Sequence, residues 1–343
     1  MRGLVFRGNS FSEVIDYPDI TPGPNQVLLK MRSSGLCGSD FTKYRSDSPL
    51  IYKGELIRPG HEPCGEIVDI GKNVIGLSIG DRIVQHHYEG CKKCNYCKTG
   101  WQQLCQVDDK KEYYGGSMHG GHGDYMIAHK STCVKLPKKL PFEIGAYLAC
   151  GASTAYHALK KLSISDTEIV AVFGQGPVGL AATMFGKEMG AKVIAIDISK
   201  ERLDLAKKAG AWQLVDASSG DTQTQIRDIT NGLGADSSIE AVGQNNTRIE
   251  AVESTRIFGK TCLVGEGGVV TYKPTEHIIH KHLTIFGSWT FSTSGLEESA
   301  NFTAKKNVPL DSLITYRSNI ENAPEAYKKF SKGYAGKFVI NWD

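Results

Sequence analysis

Between Glu168 and Asp197 the chain carries two continuous apolar runs, Ile169-Val170-Ala171-Val172-Phe173 and Val193-Ile194-Ala195-Ile196. They are joined by Gly174-Gln175-Gly176-Pro177-Val178-Gly179 and a helical run from Leu180 to Met189. Strands without polar alternation are apolar on both faces, so they belong inside a parallel sheet with helices on either side. G-x-G-x-x-G is weak alone, but here a strand precedes it, a helix follows it, and Asp197 ends the next strand. In that setting Gly174, Gly176 and Gly179 let the backbone approach a pyrophosphate at the helix N-terminus, where Pro177 loses no hydrogen bond. The segment therefore predicts a dinucleotide site. Asp197 would accept from ribose hydroxyls and repel a 2′-phosphate, favouring NAD over NADP, with Lys200 and Arg202 softening that preference. Ser199 is placed to cap a helix from Lys200 to Ala209.

The alternation continues with strands at Trp212–Val215, Ser237–Ala241, Thr261–Val264 and Leu283–Phe286, and helices at Thr222–Thr230 and Arg248–Arg256. Six strands with helical crossovers make a doubly wound parallel sheet that binds ligands at its strand carboxyl ends. Val264 and Gly265 end the fifth strand, where the backbone would meet the nicotinamide half. After Gly287 the rhythm stops. Helices at Leu296–Lys305 and Ala323–Ser331 and strands at Leu313–Tyr316 and Lys337–Ile340 are expected to rejoin the first domain. Lys337 could reach the cofactor phosphates or be an ordinary strand-end lysine.

A chain of 343 residues suits two domains. From Met1 to Val84 it reads as short strands, among them Gln26–Met31, Gly65–Ile70 and Arg82–Val84, punctuated by Gly and Pro. This predicts a barrel-like β domain. A net charge of +3 gives no nucleic-acid footprint, and no apolar run is long enough to span a membrane. The polar start lacks a signal-peptide core, so the expected location is cytoplasmic. Nine cysteines then suggest metal ligands or small buried residues, not disulfides.

Cys91, Cys94, Cys97 and Cys105 follow a C-x2-C-x2-C-x7-C spacing. Four thiolates so close together can close a tetrahedral shell, which is a structural zinc site with no open position. It would staple a lobe at about residues 86–110. Elsewhere, Cys37 lies in a glycine-flanked loop, His61 in Gly60-His61-Glu62, and Cys150 in Ala149-Cys150-Gly151. If folding joins them, one imidazole and two thiols make an open, catalytic zinc site; taken singly, each reads equally well as a structural residue. Asp40 could orient His61 from behind. Among the polar aromatics flanking the lobe, His87 and His122, with Tyr44, are candidates to line a hydrophilic substrate pocket.

Together these residues resemble the zinc-dependent medium-chain alcohol dehydrogenases along the whole chain. The resemblance implies a GroES-like β-barrel catalytic domain (residues 1–149 and 288–343) and a Rossmann domain (residues 150–287). It implies that Cys37, His61 and Cys150 hold a catalytic zinc, with Glu62 an alternate ligand, and that Cys91, Cys94, Cys97 and Cys105 hold a second, structural zinc. Ser39 matches the hydroxyl that relays the substrate proton, Asp40 the carboxylate behind the zinc histidine, and Thr154 and Val178 residues packed on the nicotinamide. Members are dimers or tetramers built through the Rossmann domain. One position departs: Thr42 stands where many relatives place a relay histidine. The expected activity is reversible oxidation of an alcohol, a polar or polyhydroxylated one on the pocket argument, with NAD. A simple aliphatic alcohol dehydrogenase, an NADPH-dependent quinone or enone reductase and a nucleotide-binding structural protein are the competing readings.

Overall fold

The strand Gln26–Gly35 buries Val27, Leu29 and Met31 on one face, the two-residue alternation of a half-covered sheet. It pairs antiparallel with Pro63–Ile70, Tyr125–His129 and the C-terminal strand Lys337–Asn341. Cys133–Lys135, Arg82–Gln85 and Ile314–Ser318 complete a seven-stranded sheet. The computed structural model describes residues 1–107 and 111–343, so the predicted end of the lobe near residue 110 lies outside the described residues.

Two apolar clusters hold this unit. One gathers Val27, Leu29, Met31, Ile67, Ile83, Tyr114 and Met126. The other joins Leu4, Phe6, Leu36 and Tyr44 to Ala326, Tyr327, Phe330, Phe338 and Ile340 from the far end of the chain. Each large side chain so buried contributes about 1.5–3 kcal/mol. This packing fixes the last strand beside the first domain's central one. Leu36 N–H donates to Phe338 O and Gly35 N–H to Glu62 O, both at 3.0 Å, which sets the register around the site.

The second unit is a six-stranded parallel sheet in the order Gln213–Asp216, Lys192–Asp197, Ile169–Phe173, Ala235–Glu240, Thr255–Leu263, Thr284–Gly287. Chain order 3-2-1-4-5-6 places the topological switch beside the first strand, where the glycine turn begins. The helix predicted to run to Arg256 ends at Ser254, and its strand starts at Thr255. The Thr255 hydroxyl donates to Ala251 O at 2.7 Å at the junction, and the register shifts before Lys260.

One unit comprises Met1–Ser153, Phe291–Lys305 and Ile314–Asp343, and the other Thr154–Thr290 and Lys306–Leu313. The chain passes between them inside the helix Gly151–Leu162, three or four residues from the predicted boundary. No linker composition marks that point, because the crossing is helical and mostly buried.

Candidate metal centre

The four-cysteine lobe is built on a short turn. Cys94 caps the helix Asn95–Lys98, and its N–H and that of Lys93 donate to Cys91 Sγ at 3.3 and 3.4 Å. These backbone donors draw the Cys91 thiol down to about 6, toward the thiolate a metal needs. Cys91 and Cys97 sulfurs lie 3.9 Å apart and those of Cys94 and Cys105 4.0 Å apart. A tetrahedron with bonds of about 2.3 Å has edges of roughly 3.8 Å, whereas a disulfide is about 2.05 Å. All four are free thiols, and the donor set fits zinc. Gly90 is required here, since a side chain would run into Cys97 and Cys105.

The second cluster joins residues distant in sequence. Ligand atoms of Cys37, His61, Glu62 and Cys150 all lie within 4.8 Å of one another. Cys37 follows the central strand at the head of the turn Gly38–Asp40, and its N–H donates to Asp40 Oδ2 at 3.1 Å. Asp40 Oδ1 accepts from His61 Nδ1 at 2.9 Å, which leaves His61 Nε2 as the free lone pair of the neutral ring. Burial works against a charged imidazole, yet Asp40 and Cys37 outweigh it and raise His61 to about 10. The surroundings thus favour positive charge at this point. Cys150 donates to Cys37 and draws its thiol well down, while Cys150 itself is pushed up. Ser39, exposed, sets its Oγ 3.4 Å from Cys37 Sγ and 3.5 Å from His61 Nε2.

Glu62 is fully buried, and burial raises its carboxyl to about 8. Its Oε2 accepts from Lys337 Nζ, whose ammonium also donates to Leu36 O at 2.7 Å. Its Oε1 is buried with no partner among the described residues, an orphan that a metal ion would satisfy, and one Glu62 carboxylate oxygen is among the cluster's ligand atoms. Gly35 leaves the space this pair occupies, since a side chain there would overlap Glu62 and Lys337. The residues present fit a zinc ion.

Three expected roles are overturned. Lys337 has no exposed surface and is spent on Glu62 and Leu36, so it does not reach cofactor phosphates. His122 is also fully buried, and Tyr44 packs between Phe6 and Tyr327 in the core, so neither lines a substrate pocket. Apolar packing claimed the Tyr44 ring, and Tyr327 claimed that of His122. His122 has another place. Tyr327 O–H donates to Asp40 Oδ2 at 3.0 Å, so its oxygen must accept from His122 Nε2 at 2.7 Å. A buried chain His122–Tyr327–Asp40–His61 therefore braces the cluster from behind. Tyr327 had no local signal; it sits in an amphipathic helix, Ala323–Phe330, like any core tyrosine.

His87 remains beside the cluster, its ring 5.3 Å from His61 and 6.0 Å from Tyr113. Its Nδ1 donates to Ala149 O at 3.0 Å, which makes Nε2 an acceptor; burial holds the ring neutral. Thr42 is exposed on the turn Phe41–Tyr44.

In the other unit Gly174 adopts φ +87°, Gly176 caps the helix Pro177–Glu188, and Val178 lies in its first turn. A side chain at Gly179 would collide with the Gly174 carbonyl. Asp197 accepts from Gln175 N–H at 2.6 Å and Ser199 N–H at 2.9 Å, with Arg202 Nη1 3.8 Å from its Oδ2. The predicted ribose carboxylate thus also shapes the glycine turn. Gln175 and Thr183 lock that turn from below at 2.9 Å. Val264 and Gly265 both donate to Glu240 O at 2.9 Å, and Gly265 has the Gly243 backbone where a Cβ would stand. Glu240, unmarked in sequence, accepts from Val242 N–H, Gly243 N–H and Thr247 at 2.8 Å. Thr154 Oγ1 is buried without a partner among the described residues.

Two family models match the chain: the alcohol dehydrogenase GroES-like domain over residues 23–138, and the zinc-binding dehydrogenase over residues 177–305. An uncharacterized zinc-type alcohol dehydrogenase-like protein of Escherichia coli (strain K12) is 36% identical, over 98% of this chain and 97% of its own. A sorbitol dehydrogenase of Halalkalibacterium halodurans is 30% identical over 97% and 96%. The crystal structure of galactitol-1-phosphate dehydrogenase from Escherichia coli superposes with a TM-score of 0.88 at 27% identity, covering 100% of both chains.

Proposed function

The chain belongs to the zinc-dependent medium-chain alcohol dehydrogenases, and from that premise we propose that it oxidises a polyhydroxylated secondary alcohol to a carbonyl with NAD as hydride acceptor. The observation that carries this reading is Ser39 Oγ, exposed and within 3.5 Å of both Cys37 Sγ and His61 Nε2. Cys37, His61 and Cys150 would hold the zinc, with Glu62 at its side. Bound there, zinc supplies Lewis acidity that makes a substrate hydroxyl acidic near neutral pH, and the nicotinamide supplies the hydride acceptor.

The chain's own residues do the rest. Ser39 relays the substrate's hydroxyl proton, accepting it while passing its own hydrogen on to solvent from its exposed position. Asp40 keeps His61 in one tautomer and one orientation, and Tyr327 keeps Asp40 in place. Lys337 holds the Glu62 carboxylate to one side while leaving Oε1 available. His87 Nε2 offers an acceptor to a second hydroxyl, which an aliphatic alcohol cannot use. The sorbitol and galactitol-1-phosphate dehydrogenases among the similar proteins act on such compounds. Asp197 at the end of its strand supports NAD over NADP.

The open edge of Thr284–Gly287, which pairs with one strand among the described residues, supports a homodimer or homotetramer through this unit. Among the described residues no helix is long and apolar enough to cross a membrane; a cytoplasmic location is part of this reading. The test is a panel of polyols, hydroxy acids and simple alcohols with NAD and NADP, read by absorbance of the reduced cofactor, together with metal analysis. The reading expects about two zinc per chain and a polyol preferred with NAD. Clear preference for hydrophobic primary alcohols, or metal-free turnover of enones with NADPH, overturns it.

A further inference from the structure

Arg58 heads the largest fully buried side chains among the described residues, with 1% of its surface exposed. Its methylenes run in a slot between Gly3 and Gly123, two glycines bridged to each other; a side chain at Gly3 would strike them, and one at Gly123 would press on them at 3.1 Å. The guanidinium emerges over the ring of Tyr17, 4.9 Å from its centroid. Among the described residues it meets no oxygen acceptor and no carboxylate within ion-pair reach. Nη1 touches the sulfur of Met1 at 3.5 Å, and Nε is buried with no partner. A buried cation so placed is strongly destabilising unless something accepts its hydrogen bonds.

It opens on a cavity of about 480 Å³ lined also by Ile15, Tyr17, Leu56 and His119, none of them a metal candidate. His119 adds a second donor. Its Nδ1 accepts from Arg58 N–H at 3.2 Å, so the neutral ring carries its hydrogen on Nε2. Burial, with Arg58 adding to it, holds His119 down to about 4, so this tautomer persists at neutral pH. Asp16 and Glu55 stand exposed at the rim, with Glu55 Oε2 4.0 Å from His119 Nε2, and their charge opposes phosphates and polyanions more strongly than a single carboxylate.

We propose that this recess is a binding site, separate from the metal centre, for a small organic monocarboxylate with a short apolar tail. The carboxylate pairs with the planar guanidinium of Arg58 and the Nε2–H of His119, and the tail lies on Tyr17, Ile15 and Leu56. The volume is that of a small-molecule site.

The test titrates butyrate and, as a neutral match, butyramide into the zinc-loaded full chain at constant ionic strength by calorimetry. Butyrate is expected to bind saturably with a Kd of about 0.1–5 mM, and butyramide not at all. Arg58→Met keeps the stem between the glycines, and Leu56→Trp fills the recess without touching the charge. Each is expected to weaken butyrate by about tenfold or more, with Arg58→Met unfolding at or above the wild-type temperature and Leu56→Trp near it. Should both variants fail to fold, a wild-type crystal soaked with 4-iodobenzoate decides by its anomalous peak. A peak beside Arg58 supports the site. A peak at the metal ligands alone, no saturable butyrate heat in wild type, or unchanged affinity in folded Arg58→Met overturns it.

Discussion

Lys337 sets its ammonium on the Oε2 of Glu62 across 275 residues of chain, with both side chains wholly buried. A lysine in the last strand thus completes the charge balance of a cluster assembled near the start of the chain.

Replacing Lys337 by Met leaves Glu62 buried without its partner. The expected loss is at most about 3–5 kcal/mol, the cost of an unpaired buried charge, and it shrinks as the carboxyl, already raised to about 8, takes up a proton instead. Adding Glu62→Gln should recover part of it. A double-mutant cycle by urea unfolding of the zinc-loaded protein measures the coupling, and strict additivity would show that the two do not act as a unit.

Tyr327→Phe removes the donor to Asp40 and leaves His122 Nε2 a buried donor without an acceptor. Zinc affinity at the open site is expected to fall about tenfold to a hundredfold, the usual range for partners behind a metal histidine. Chelator competition reads this directly. His122→Gln, which can still donate to Tyr327, should fall less.

Cys94→Ser breaks the closed four-thiol shell and leaves the Cys37–His61–Cys150 cluster untouched. Metal analysis should drop from about two zinc per chain to about one, with a lower melting temperature. Retention of both ions, or loss of both, contradicts the division of labour between the sites.

Asp197→Ala removes the carboxylate that accepts from Gln175 N–H and Ser199 N–H. Binding of both nucleotides should weaken, since the glycine turn loses two bonds. NAD should suffer more than NADP, narrowing the preference by about tenfold. Fluorescence titration with the two reduced cofactors gives the ratio.

Acid stability has a named contributor in Asp124. Burial raises its pKa, but hydrogen bonds from Arg2 and Trp342 outweigh it, so the folded value lies below the ordinary carboxylate one. A carboxyl lowered on folding stabilises above its unfolded pKa of about 3.9, and that share is lost as pH falls through the folded value. Asp124→Asn should therefore flatten the fall in urea midpoint below about pH 4.5. An unchanged acid limb would remove Asp124 from the account.

What could be read from residue order alone was whatever chemistry is local. The strand–glycine–helix–acid run, the four clustered cysteines and the six-strand alternation each lie within a few turns of chain, so spacing alone constrains their geometry. Gly60-His61-Glu62 marked one ligand, but nothing in the spacing brought Cys37 or Cys150 to it. Tertiary packing decided that, by pairing the strand that ends at Gly35 with the one that begins at Pro63 and by bonding Ala149, beside Cys150, to His87. It also turned Lys337, His122 and Tyr44 inward, where each had a plausible role on an exposed surface. Tyr327 and Arg58 carried no signal at all, because a buried phenol and a buried guanidinium acquire their meaning only from partners brought in from elsewhere. Short-range pattern dictates which elements form; long-range contact decides which polar atoms end up facing one another, and in this protein the site is made of those.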